Sequence, residues 1–383
     1  MADNSSLLII TNLYPVPWAP NRASFNRQQF ELIAQKMPVN IIVLLGWLEW
    51  LKHRKACKED RNVRYCPYFY LPKIGRRLVP FFQYLSLLFF IPWIKRQSPS
   101  TLLAAWVFPD AVAVSMLNQH LKLPLLVKAH GTDINENAQF SARVELMRRW
   151  LSRSKMIFCA SKDLMNKLIK MGISKAQVQV NYNGVNTEIF YPENKKIVNI
   201  GQNADAEKSS TKSKMTLIFV GSIIKTKGIV ELVEALPLVK EKYEAIELIV
   251  LGEGNLTTSL KEKALQLGIS ENLCFKGSLP LNEVASYMRQ ADLLVLPSYR
   301  EGVPNVLLES FACGTPVVAT RVGGIPEIVT DDVGILVEEK QSKALSDAIL
   351  KALSTPWSQD KILAHAKNFN WQHNVDNVLR HIN

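Results

Sequence analysis

The chain has 383 residues, 48% of them hydrophobic and 21% charged, with no repeat and no low-complexity bias, which excludes a solenoid or a disordered chain and points to two globular domains. Its formal charge of +12 is unevenly held: residues 1–192 carry 25 Lys+Arg against 11 Asp+Glu, the remainder 21 against 23. Five cysteines without a CxxC pair, and no His/Cys cluster at zinc spacing, exclude a disulfide framework and a structural zinc site.

In chain order, the opening MADNSSLLIITNLYP lacks a basic n-region and a small-residue cleavage site, so a cytosolic protein is expected. Short Val/Ile/Leu runs then alternate with longer amphipathic stretches, the pattern of strand–helix–strand units in parallel sheets. The front half offers strands at 7–11, 39–45, 101–106, 124–131, 155–161 and 178–184. Residues 79–96, VPFFQYLSLLFFIPWIKR, read as one buried or interfacial helix, too short to span a membrane. Arg76, Arg77, Lys95 and Arg96 flank it, and with the basic front half they make contact with an anionic membrane surface an open expectation.

Residues 193–214, ENKKIVNIGQNADAEKSSTKSK, are polar and Ser/Lys-rich, as a linker or long surface loop would be. The back half repeats the alternation, with strands at 216–222, 246–254, 273–278, 292–298, 315–324 and 334–339. The expected domains are therefore 1–192 and 215–368, with a last helix at about 369–383 returning to the first. Each makes a doubly wound, Rossmann-like parallel sheet, and the ligand site falls in a cleft beyond the strand ends.

The motifs cluster at those strand ends. SYREGVPNVLLESFACGTPVVAT, 298–320, predicts a helix with Pro304 in its first turn and Gly314 just past its end. Gly302, Val303 and Asn305 would present free amides at the helix start, which suits a phosphate. Glu301 and Glu309 bracket the segment, and carboxylates beside a phosphate site suit sugar hydroxyls; the plainer reading makes both solvated surface residues. FVGSIIKTKG, 219–228, places Gly221, Ser222 and Lys227 after a strand, and Lys227 would neutralise a diphosphate. VLGEG, 250–254, with Gly252, allows close backbone approach to a ligand. KAHGTDIN, 128–135, puts His130 and Asp133 at a strand end in the front half. No GxGxxG fingerprint, Walker loop or nucleophile elbow is present, which disfavours NAD, ATP and serine-hydrolase chemistry.

EGVPNVLLESFACGTPVVATRVGGIPEIV, with FVGSIIKTKG, HGTDI and YNGVNTEIFYP in order, resembles the retaining family 4 glycosyltransferases, with closest likeness to bacterial exopolysaccharide and teichuronic-acid-type enzymes. The resemblance covers nearly the whole chain. It implies the GT-B fold, two Rossmann-like domains facing across a cleft, and transfer of a sugar from a UDP- or GDP-sugar to a growing glycan. Such a glycan is free or lipid-linked, in cell-surface polysaccharide synthesis, with no metal or cofactor and no nucleic acid partner. By the same resemblance Lys227 binds the diphosphate, Glu301 the transferred sugar and Glu309 the ribose. Gly302, Val303, Asn305, Gly221, Ser222 and Gly252 complete the donor site. His130 acts from the acceptor side with Asp133, Asn21 and Arg22.

Two departures stand out. Ser222 occupies the place of a phosphate-binding Arg, with Lys225 and Arg321 as substitutes, and Asn21, Arg22 and Ala23 stand where relatives carry a Gly-Gly pair. A sugar-nucleotide epimerase or phosphorylase on the same architecture, and a non-catalytic basic membrane-binding protein, are the alternatives.

Overall fold

The computed structural model of the chain describes residues 5–20, 22–57, 62–70, 75–193 and 214–382. Among them the first sheet holds β1 (Leu7–Thr11), β2 (Val39–Gly46), β3 (Val63–Tyr68), β4 (Thr101–Ala104), β5 (Leu125–Ala129), β6 (Met156–Cys159) and β7 (Val178–Val180), ordered β3-β2-β1-β4-β5-β6-β7. The second holds β8 (Met215–Val220), β9 (Ile246–Leu251), β10 (Leu273–Gly277), β11 (Leu293–Leu296), β12 (Val317–Thr320) and β13 (Gly334–Val337), ordered β10-β9-β8-β11-β12-β13. All pairings are parallel.

Each sheet starts at its centre, winds to one edge, then returns and winds to the other. The direction of winding therefore reverses between β1 and β4, and again between β8 and β11. At such a reversal the connecting loops diverge and leave a crevice beyond the strands' carboxyl ends. These are the two doubly wound α/β sheets that the alternating sequence pattern predicts.

Both faces of the first sheet are covered, which is why its strands read as unbroken apolar runs. Leu8, Ile10, Ile42, Leu44 and Val127 pack on one face, and Leu7, Ile9, Ile41 and Val43 on the other. Helix Trp371–Leu379 closes the second face: Val375 and Val378 join Phe30 and Ile33 there, each burial contributing about 1.5–3 kcal/mol. Asn370 caps this helix, accepting from the amide of Gln372 at 2.6 Å.

The chain divides into compact units 1–184 with 370–383, and 185–369. Residues 185–192, assigned by sequence to the front domain, thus sit in the second unit. Phe190 is buried there, the Arg289 guanidinium lies 4.4 Å from the Tyr191 ring centre, and the Val185 amide donates to Phe369 O at 3.2 Å. Of the proposed linker, residues 194–213 lie outside the described residues.

Two further elements differ from the sequence reading. β3 went unpredicted because it is an edge strand with only Cys66 buried, and because Pro67, tolerated at an edge, argues against a strand. Residues 79–96 form two helices, Val79–Leu88 and Ile91–Gln97, bent by 64°, with Pro92 opening the second. A proline suits a first helical turn but lacks the N–H that would continue the preceding helix. Among the described residues no single helix is long and apolar enough to cross a membrane, though this bent pair has the length and composition together.

Candidate active site

In the C-terminal unit the site grows from the loops leaving β8 and β11. After β8 the chain runs extended at Ile224 and tightens into a short 3-10 turn, Lys225–Lys227. The loop after β11 is tied to it by the Tyr299 amide, which donates to Thr226 O at 2.9 Å. That tie sets Lys227 beside Glu301, with Nζ 2.5 Å from Oε1. The pair is shielded but reachable, the side chains being 28% and 11% exposed. Glu301 is seated from below by the VGG turn: Gly324 N donates to Gly302 O at 2.8 Å, and a Cβ on Gly323 would meet Glu301 O at 2.0 Å, so only glycine fits there.

Beyond Glu301, Gly302 and Val303 are buried, and among the described residues no backbone carbonyl accepts from their amides. Pro304 is extended (φ −73°, ψ 123°) and stands at the cap, one residue ahead of its expected place inside the helix, which begins with Asn305 and runs Asn305–Ala312. Gly314 follows with φ +72°. Orphan amides next to a helix start favour an anion. Glu309 is half-buried on this helix and not a solvated surface residue; burial pushes its carboxyl up to about 7, and among the described residues no side chain pairs with it to hold it ionised. Gly252 comes so close to Gly221 that a Cβ on it would lie 2.0 Å from Gly221 O, and Ser222 beside them is exposed. Of the substitutes for the missing cation, Lys225 is exposed on the same 3-10 turn as Lys227, whereas Arg321 is turned to Glu338 at 3.4 Å.

In the N-terminal unit His130 follows β5 and lies between Phe25 and Trp106, ring centres 5.0 and 5.9 Å away. Its Nε2 is 3.1 Å from Ala105 O, and since a carbonyl only accepts, Nε2 carries the proton and Nδ1 is left as an acceptor. Burial, then the nearby Lys128 charge, hold the ring's pKa well below its usual value, so the imidazole is neutral.

Asp133, expected on the acceptor side, does not face a substrate. It is fully buried and its carboxylate accepts from the amides of Val107 (2.9 Å), His130 (3.1 Å), Gly131 (2.8 Å) and Ile134 (3.1 Å). It positions the His130 loop, and no oxygen is left for an acceptor. Arg22 is likewise engaged, 2.6 Å from Glu49 Oε1, which also accepts from Trp18 Nε1 at 2.9 Å. Asn21 lies outside the described residues.

A profile described as Glycosyltransferase Family 4 matches residues 31–189, and one described as Glycosyl transferases group 1 matches residues 202–375. The chain is a family 4 glycosyltransferase. It is 23% identical over 369 residues to the putative teichuronic acid biosynthesis glycosyltransferase TuaC of Bacillus subtilis, covering 90% of this chain and 88% of TuaC. To the uncharacterized glycosyltransferase MJ1178 of Methanocaldococcus jannaschii it is 29% identical over 265 residues, 69% of this chain and 68% of that one. The fold matches that of Alr3699/HepE from Anabaena, crystallised with UDP: TM-score 0.72, 98% of each chain covered, 15% identity. The enzyme therefore has the GT-B fold.

Three buried polar groups of this glycosyltransferase escaped the sequence reading. Lys128 on β5 is 4% exposed, donates to Gln29 Oε1 at 2.9 Å and Asn26 Oδ1 at 3.1 Å, and lies 5.6 Å from the Phe25 and Trp371 ring centres. Burial lowers its pKa to about 7. The signal was a lysine inside an otherwise apolar strand. Asp110, fully buried, accepts from the Asn12 amide at 2.6 Å and Gln83 Nε2 at 2.9 Å, and burial raises it to about 7. Asn12 itself, just past β1, keeps a buried side-chain oxygen without a partner.

Proposed function

We propose that the enzyme is a retaining hexosyltransferase that takes a sugar from a UDP- or GDP-sugar and adds it to a growing cell-surface glycan without a metal. The observation that carries the reading is the Lys227–Glu301 pair, a cation and a carboxylate 2.5 Å apart beside the unpaired amides of Gly302 and Val303. In the resting enzyme the two charges satisfy one another. When donor enters, Lys227 turns to the diphosphate and Glu301 accepts from vicinal hydroxyls of the sugar, so the ion pair is exchanged for two ligand contacts.

In the reaction the bond between the anomeric carbon and the diphosphate oxygen breaks, and the acceptor hydroxyl oxygen bonds to that carbon on the same face. The hydroxyl proton passes to the departing phosphate, leaving a glycoside of unchanged configuration and a nucleoside diphosphate. Lys227 and the amides stabilise the charge that grows on the leaving group, the term with the most to contribute here. His130, neutral with Nδ1 open, accepts a hydrogen bond from a substrate hydroxyl. Glu309 accepts from ribose hydroxyls. The relation to TuaC supports a polysaccharide role.

A panel of nucleotide sugars scored for thermal protection tests the reading. A UDP- or GDP-hexose at 100 times its Kd stabilises the wild type by about 2.7 kcal/mol, whereas Lys227→Ala loses the effect. Turnover in excess EDTA, with product anomeric configuration read by NMR, tests metal independence and retention. An inverted product or EDTA-sensitive activity removes those parts.

A further inference from the structure

The crevice of the N-terminal unit holds a cavity of about 260 Å³ beyond β1, β3, β4 and β5, walled by Tyr68, Tyr70, Trp106 and Phe108. Asn12, whose amide oxygen is unpaired, and Glu136 add hydrogen-bonding groups to its lining. Aromatic faces with a few polar groups between them suit a sugar ring, whose C–H faces are apolar and whose edge is a ring of hydroxyls.

A second cavity, about 310 Å³, shares Arg76 with the first and is lined by Arg77, Arg143 and Phe140 as well. Arg143 is held in place, its guanidinium 4.0 Å from the Phe140 ring centre and donating to Asn137 Oδ1 at 2.9 Å. Burial and then the Arg76 charge lower its pKa, while Glu136 pulls the other way. Among the described residues none of the three arginines has a carboxylate within ion-pair distance. Three cations around one hollow repel each other, and the repulsion is relieved when an anion enters it. Planar guanidinium groups match phosphate oxygens in particular.

We infer that the acceptor is a glycosyl phosphate or diphosphate, its sugar in the aromatic cavity and its phosphate among Arg76, Arg77 and Arg143. This rests on the transferase reading above and names the substrate class of its acceptor side. Arg76 lines both hollows, so a phosphate carried directly on the sugar would lie beside it, as two adjoining hollows require. The ester is either soluble or lipid-borne. Leu78, Phe81, Leu85 and Phe89, exposed at 47%, 48%, 39% and 86%, continue from Arg77 and offer the lipid-borne form apolar surface.

Binding calorimetry on the full chain, with no donor present, separates the possibilities. The probes are decyl glucosyl diphosphate, glucose 1-phosphate and decyl glucoside. The diphosphate is expected to bind at least tenfold tighter than the phosphate-free glucoside, and to weaken in 0.5 M NaCl. Arg76→Gln with Arg143→Gln is expected to remove that preference while the thermal midpoint stays put, and Arg143→Lys to keep part of it. Decyl glucosyl diphosphate binding tighter than glucose 1-phosphate by a margin that persists in 0.5 M NaCl, where the extra phosphate charge is screened, assigns the lipid-borne form; equal binding there assigns the soluble one. Equal affinity for the diphosphate and the glucoside, an unaffected double variant, or no binding of any phosphate probe overturns the inference. Turnover plays no part in the measurement, so failure of the donor reading shows separately, in the nucleotide-sugar panel.

Discussion

Beyond β8 and β11 the crevice of the C-terminal sheet is made of accessible charge and bare backbone: Lys227, Glu301 and the amides of Gly302 and Val303. Beyond β1 and β4 the crevice of the N-terminal sheet has aromatic walls; Asp110, Asp133 and Lys128 are buried, and Arg76 and Glu136 stand in its lining. The winding is the same and the contents are opposite. A site that stabilises charge appearing during a reaction needs groups free to contact it, whereas a site that selects a sugar needs shape, with buried charges such as Asp133 holding its loops still.

The comparison breaks first, and by the largest effect, at the charged crevice. Lys227→Ala and Glu301→Ala are each expected to lower kcat by roughly 100- to 1000-fold, with thermal midpoints little changed because the pair is partly solvated. A loss of stability without that loss of rate would make the pair a structural brace. In the aromatic crevice His130→Ala is expected to cost about 10- to 100-fold in kcat. Because the ring is already neutral well above its lowered pKa, the wild-type pH–rate profile should show no limb from it near 6.5; such a limb, lost in the variant, would contradict the lowered pKa.

Smaller effects sharpen the contrast. Glu309→Gln should weaken nucleotide binding about tenfold, since an amide oxygen accepts less strongly than a carboxylate. The folded carboxyl titrates near 7 against an unfolded value near 4.5, so ionising it costs the empty enzyme stability as pH rises from 4.5 to 7, and the loss is complete above that. The variant should therefore unfold about 2–4 °C higher than wild type at pH 8 and no higher at pH 4.5, by scanning calorimetry. Lys128 runs the other way. Its folded pKa near 7 lies below the unfolded 10.5, so the unfolded chain binds more protons between those values and stability rises with pH from 7 to 10. Lys128→Met should flatten that rise, and an unchanged slope would show that the ammonium is not desolvated as its burial implies.

Apolar runs and their spacing determined most of the fold, because a parallel sheet covered on both faces writes its strands as continuous Val/Ile/Leu segments. All twelve strands read from those runs are present, and the one missed among the described residues, β3, is an edge strand that does not need them. Lys227 and Glu301 were legible for a local reason: each lies in the loop leaving a strand whose end the pattern marks, and the resemblance assigned both a role. What the sequence left undecided depended on direction and distance across many residues. Asp133 and Arg22 were read as acceptor-side residues because residue type says nothing about which partner a side chain finds, and only folding brings Asp133 under four amides and Arg22 against Glu49. The arginine hollow joins residues 76, 77 and 143, which no window of sequence connects. Local chemistry specifies strands and turns; contacts between distant segments decide which polar groups are consumed in holding the fold and which remain for a substrate.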